Sequence, residues 1–246
     1  TVSDRGQIAK AGAAIGGSER TIHNAVDILH FLMLQNGTQM VNENYSAASF
    51  AEGPGLEALE FYLQFADAGS PYYTWNENQG RNSLDAFAGG TAAMILDYGS
   101  ATRYLRTKNP FLRIGIAPAP QIAGKEAAVS YPSYQGLAVS KQSKVQKEAW
   151  DFVSYAATDV GAQIAYLNES GRPPALRSLI EQVLTDPESA VFARQALTAR
   201  SWYNPNELRV REIFNDAISS AITGRVNART ALGQAQDQVS QIMNLT

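Results

Sequence analysis

Phe87-Ala88-Gly89-Gly90-Thr91-Ala92-Ala93-Met94-Ile95-Leu96-Asp97-Tyr98-Gly99-Ser100 changes character twice within one short stretch. The helical pattern of residues 83–88 runs into paired glycines, which break it. Thr91 to Leu96 is a short apolar run bounded by turn residues, a pattern that predicts a buried strand. Asp97, Tyr98 and Ser100 then place a carboxylate, an aromatic ring and a hydroxyl at the carboxyl end of that strand. Open α/β sheets hold their ligands at this edge.

Helical periodicity dominates on both sides of this stretch. Upstream, Ile22, Val26, Leu29 and Met33 fall on one helical stripe, with Gly17-Ser18 as the expected cap and Asn36-Gly37 as the end. A second helix follows Gly53-Pro54-Gly55, with Leu56, Leu59, Leu63 and Ala66 inward, and it stops at Gly69-Ser70-Pro71. Downstream, a helix over 100–107 leads to a second predicted strand over 113–117, ended by Pro118 and Pro120. A third extended segment covers 131–140. Val145, Ala149, Phe152 and Ala156 mark a helix, and another runs through Ile164 and Leu167 to Ser170-Gly171. Three more helices are expected at about 188–199, 207–222 and 226–243. The predicted class is therefore α/β and helix-rich, with small sheets wrapped by helices.

Composition narrows the function classes. The chain has 246 residues, is 45% hydrophobic and carries a formal charge of −3. Such a length buries a substantial core, and no apolar run approaches the roughly 20 residues of a membrane-spanning helix. A slightly acidic chain has little electrostatic drive toward nucleic acid. The absence of cysteine excludes disulfides, thiolate metal sites and thiol nucleophiles. No phosphate-binding loop, nucleophile elbow or zinc-protease motif occurs. The opening Thr1-Val2-Ser3-Asp4, without methionine or a leader, is expected of a processed product or of a piece of a longer chain.

Several phrases in fixed order carry a resemblance. They are Phe87-Ala88-Gly89-Gly90-Thr91-Ala92-Ala93-Met94 with Gly99, then Ile114-Gly115-Ile116-Ala117-Pro118-Ala119-Pro120, then Tyr134-Gln135-Gly136-Leu137-Ala138-Val139. Glu148-Ala149-Trp150-Asp151-Phe152-Val153 and Gly171-Arg172-Pro173-Pro174-Ala175 complete the set. Together they resemble the extracellular solute-binding protein family that includes maltose-binding protein. The resemblance implies a periplasmic-binding-protein type II-like fold, of which this chain is the C-terminal portion. Residues 1–130 and 185–246 would form one complete lobe, and residues 131–184 a hinge and partial excursion into the other. It further implies a carbohydrate or similar small polar ligand held between lobes, and a membrane-embedded ABC permease as partner. The full-length protein would lie outside the cytoplasm, periplasmic or lipid-anchored, and would need no cofactor.

Sugar recognition needs flat aromatic faces for ring C–H groups and planar polar groups for hydroxyls. Ten residues supply that mixture at element ends: Asn24, Trp75, Asp97, Tyr98, Ser100, Tyr134, Gln135, Arg172, Trp202 and Tyr203. Each also has a structural alternative. Trp75 is a cleft-rim aromatic or a packed loop residue, and Tyr134-Gln135 is a ligand contact or crossover geometry. Arg172 serves hydroxyls or a surface ion pair. Trp202 faces ligand or anchors the helix after it, and Asn24 contacts ligand or simply caps. By resemblance Ser100 stands near a position that often carries a stacking Trp, which leaves Tyr98 as the platform. His23, Asp27 and His30 share one helical face, but the two histidines sit roughly 10 Å apart along the axis, too far to converge on one zinc. A solvated polar face is the expectation there. Two other classes remain open: a carboxylate-dependent glycoside-processing enzyme using Asp85 and Asp97, and a surface lobe used only for protein docking.

Overall fold

The computed structural model describes residues 2–4, 7–125 and 127–245. The chain divides into two compact units. Unit 1 comprises Thr1–Asp97, Gln121–Tyr131 and Arg200–Thr246, and unit 2 comprises Tyr98–Pro120 and Pro132–Ala199. Residues 98–120 and 185–199 of the second unit meet through side chains. Arg106 pairs with Glu188, and Gly99 lies so close to the Phe192 ring that a Cβ would meet it at 3.0 Å.

Unit 1 contains β1 (Val2–Asp4), β2 (Gln7–Lys10), α1 (Ala25–Asn36), α2 (Pro54–Leu63) and α3 (Ser83–Ala88). The element order then passes through α4 (Ala101–Lys108), α5 (Gln146–Thr158), α6 (Val160–Ser170), α7 (Arg177–Val183) and α8 (Pro187–Ala196), all in unit 2. It returns to unit 1 with α9 (Glu207–Ile222) and α10 (Ala228–Met243). β1 and β2 pair antiparallel, with Ser3 opposite Ile8 and Asp4 opposite Gln7.

The core of unit 1 is where α1, α2, α9 and α10 meet. The predicted α1 stripe of Ile22, Val26, Leu29 and Met33 is entirely buried, as are Val210, Phe214 and Ala217 of α9. Phe50 packs against Phe214 with ring centroids 4.7 Å apart. Each such aromatic or aliphatic side chain contributes roughly 1.5–3 kcal/mol through burial. The helix ends follow local chemistry. Asn206 and Asn227 accept the Arg209 and Thr230 backbone N–H groups at the starts of α9 and α10. Gly37 at φ 88° ends α1, with its N–H donating to the Leu34 carbonyl.

Three sequence expectations are corrected here. α1 starts at Ala25, not just after Ser18, because residues 18–22 form a separate turn onto the Ser18 carbonyl. The Ser18 hydroxyl donates to Glu77 instead of capping the helix. Thr91 to Leu96 is extended and joins residues 11–14 by parallel bridges, Ala11 to Ala92 and Ala14 to Ile95. Only Ala92 of that run is buried, and Met94 is 61% exposed. The segments 113–117 and 131–140 form no strand ladder among the described residues, and strands persist only where their N–H and C=O groups find partners.

Unit 2 has a small apolar cluster of Ile180, Val183 and Ala193 with Leu167 and Leu184 beside it. Gln163 is buried and ties three segments together: its Nε2 donates to the Ala156 carbonyl and its Oε1 accepts the Ala175 N–H. The helix expected through Ala149, Phe152 and Ala156 forms as α5. No α5 residue is buried, and Phe152 is 63% exposed.

Candidate functional site

Unit 1 holds a polar cluster where the chain enters α1. Asn24 sits in the left-handed region at φ 57° and makes no side-chain cap. Its amide instead donates to Asp97 Oδ1 at 3.1 Å, while His23 Nδ1 lies 2.7 Å from Asp97 Oδ2. The Ser83 hydroxyl accepts the His23 backbone N–H at 2.9 Å. Asp97 is thus a nearly enclosed carboxylate facing two planar polar groups, with the His23 ring half open to solvent. The hydrogen bond to Asp97 raises the His23 pKa above its ordinary value against the opposing effect of burial. The charges of Asp97 and Glu19 add to the rise, and Arg211 subtracts from it. A donor of this kind, backed by a carboxylate, forms a strengthened hydrogen bond to a hydroxyl or carboxylate oxygen.

Behind this edge lies an ion-paired layer. Arg211 of α9 donates to Asp27 at 2.6 Å and also pairs with Glu19. Burial opposes the Arg211 charge, but the two carboxylates outweigh it and hold the guanidinium above its usual range. Next comes His30, fully enclosed. Its Nδ1 lies 3.2 Å from the Tyr131 hydroxyl, and its ring meets Trp202 and Phe214 edge-on at 5.4 and 4.4 Å. Burial, with the Arg211 charge, lowers its pKa to about 3. His23, Asp27 and His30 therefore go to three different partners. The expectation of a solvated face fails at His30, because α9 packs over it.

The ten candidates fall in distinct places. Asn24 and Asp97 come together. Trp75 is buried in the unit 1 core at 2% exposure, on the packing side of its two readings. Trp202 lies partly buried against that core, and its neighbour Tyr203 is exposed. In unit 2, Tyr98 and Ser100 precede α4, and Ser100 gives that helix no side-chain cap. Tyr134 and Gln135 are exposed on the segment before α5. Arg172 follows the α6 C-cap, its N–H donating to the Ser170 hydroxyl.

Two residues were not singled out as ligand contacts in the sequence. The sequence places His23 beside Asn24 at the start of the first helix, where the resemblance puts a turn bordering the cleft, but it offers the backbone N–H groups of that turn and not the His23 ring as the contact. Tyr45 lies in a polar turn, is 61% exposed and adopts φ 55°, a conformation that costs a non-glycine residue roughly 1–2 kcal/mol. Its ring stands edge-on to Tyr203 at 5.8 Å. The Asn-rich stretch Asn42-Glu43-Asn44-Tyr45-Ser46 was the available signal.

The model of the bacterial extracellular solute-binding protein family matches residues 7–163, well over half of the chain. A comparison with curated proteins finds no match. Among solved structures, a cyclo/maltodextrin-binding protein complexed with maltotetraose aligns with 95% of this chain at 19% identity and a TM-score of 0.74. An ABC transporter solute-binding protein of Thermotoga lettingae bound with α-D-tagatose aligns with 96% at 18% identity and 0.67. An ABC substrate-binding protein of Listeria monocytogenes in complex with cycloalternan aligns with 98% at 15% identity and 0.71. The chain spans 60%, 59% and 60% of the Thermotoga, maltodextrin-binding and Listeria structures. Their common architecture is the type II periplasmic-binding-protein fold, and this chain carries it in a helix-rich form.

Proposed function

We propose that this chain, which belongs to the bacterial extracellular solute-binding protein family, is part of the receptor of an ABC import system and takes a carbohydrate ligand. The observation that carries this reading is the structural likeness, over 95% of the chain, to a protein solved with maltotetraose. The site chemistry supports it. Asp97 holds Asn24 and His23 in place, and the half-exposed His23 ring, backed by that carboxylate, offers a planar polar group suited to a hydroxyl. Within unit 1, Trp202 and Tyr203 supply aromatic area; unit 2 by itself carries the aromatic Tyr98 and Tyr134 and the polar Ser100, Gln135 and Arg172.

Function on this reading is capture without chemistry. The solute selects a closed form of the receptor, and a permease in the membrane recognises that form. The receptor works outside the cytoplasmic membrane, free in the periplasm or lipid-anchored. No helix among the described residues is long and apolar enough to cross a membrane.

Thermal denaturation with maltotetraose, tagatose and cycloalternan tests the reading. A ligand that binds only the folded form stabilises it by about 1.4 kcal/mol at roughly tenfold its dissociation constant. A rise in melting temperature with at least one sugar, lost in Asp97→Ala, is the expected result. A chain indifferent to all three sugars would sink it.

A further inference from the structure

We infer that Tyr45 and Tyr203 form a fixed stacking platform for one pyranose ring of an oligosaccharide, an inference that rests on the carbohydrate reading above. The two side chains come from distant parts of the sequence. They nevertheless meet at 5.8 Å and 78° while remaining 61% and 46% exposed. Such an edge-to-face pair leaves a flat ring face in water, and apolar area of that kind stacks on the C–H face of a sugar.

Both rings stand on anchored backbone. Asn42 builds the Tyr45 turn, its Oδ1 accepting the Ser46 and Ala47 N–H groups and its Nδ2 donating to the Ser46 hydroxyl. The Ala48 N–H donates to Ser240 of α10, fastening the turn to the unit 1 core. On the other side, Asn204 Oδ1 accepts the Asn206 N–H, and Asn206 caps α9. Glycine would hold φ 55° at position 45 without strain, yet a tyrosine stands there with its ring in solvent. An observed backbone outlier at an exposed aromatic points to function.

Size selects the ligand. The two rings leave on the order of 200 Å² in water, far below the roughly 1,200 Å² of a stable protein interface. That area suits a single sugar ring. Asn44 and Asn204, each next in sequence to one of the tyrosines, supply planar amides for its hydroxyls.

The test is titration of maltotetraose into the chain with tyrosine rings labelled for NMR, repeated on Tyr45→Gly. Ring signals of Tyr45 and Tyr203 should move along one saturation curve. Tyr45→Gly should weaken binding about three- to tenfold with an unchanged or higher melting temperature. If Tyr45→Gly proves unstable, Tyr45→Phe and Tyr45→Leu replace it: the platform requires that Phe retain affinity and Leu lose it, and equal affinities overturn it. Ring signals that stay still while other groups respond to maltotetraose overturn the platform and leave the carbohydrate reading intact. Failure of maltotetraose, tagatose and cycloalternan to perturb any signal overturns both.

Discussion

α9 and α5 are similarly rich in apolar residues overall, yet α9 buries five side chains and α5 buries none. The difference lies in their neighbours. α9 packs against α10, α1 and α2, whereas α5 packs chiefly against α6. Unit 1 therefore closes around Phe50, Phe214, Leu29 and Leu232, while unit 2 leaves Trp150, Phe152 and Tyr155 facing water. An amphipathic helix specifies which face wants burial, and only the surrounding elements decide whether burial happens.

The largest effect that sharpens this contrast comes from His30. A histidine kept neutral by burial takes its proton only in the unfolded chain, so stability falls with pH from about 6.5 down to about 3. The full span corresponds to on the order of 5 kcal/mol. Hydrogen exchange in α1 and α9 should accelerate steeply over that range, and His30→Phe should flatten the dependence. A flat profile in the unchanged protein would show that His30 titrates freely.

Paired truncations come next. Phe214→Ala should destabilise unit 1 by about 3–5 kcal/mol. Phe152→Ala in α5 should change stability by no more than about 0.5 kcal/mol. Urea denaturation measures both, and equal losses would break the comparison between the two units.

The open α5 face should also bind an apolar dye and promote self-association. Trp150→Glu together with Phe152→Glu should reduce dye fluorescence and shift sedimentation toward monomer. An unaltered profile would mean that other surfaces hold the copies together.

The smallest effect belongs to the His23–Asp97 pair. The raised His23 pKa means that its stabilisation is present below pH 6.5 and is lost as pH rises through the folded value. In Asp97→Asn, NMR titration should find the His23 pKa lower than in the unchanged chain. A pKa that stays put would assign the rise to Glu19.

Much of the fold was legible along the chain, for particular reasons. The stripes of α1, α9 and α10 repeat at the helical period, and Asn206, Asn227 and Asp159 are residues whose side chains satisfy the first free N–H groups of a helix. Residues 113–117 and 131–140 misled because short apolar runs name a preference for extension without naming a partner strand. The site was legible in part. Asn24 and Asp97 were each singled out, but nothing local announced that they share hydrogen bonds. Trp75 was ambiguous because an aromatic in a polar loop looks the same whether it faces water or a core, and here it is buried at 2% exposure.

Composition and periodicity indicated a helix-rich α/β class without cysteine chemistry, and the ordered motifs carried a resemblance to one family. They could do so because helix caps, glycine breaks and apolar stripes act over a few residues. Tertiary structure alone decided that His23 meets a carboxylate 74 positions away, that His30 is sealed under α9, and that Tyr45 finds Tyr203. Those pairings depend on how distant segments close upon one another, and no short-range pattern encodes that closure.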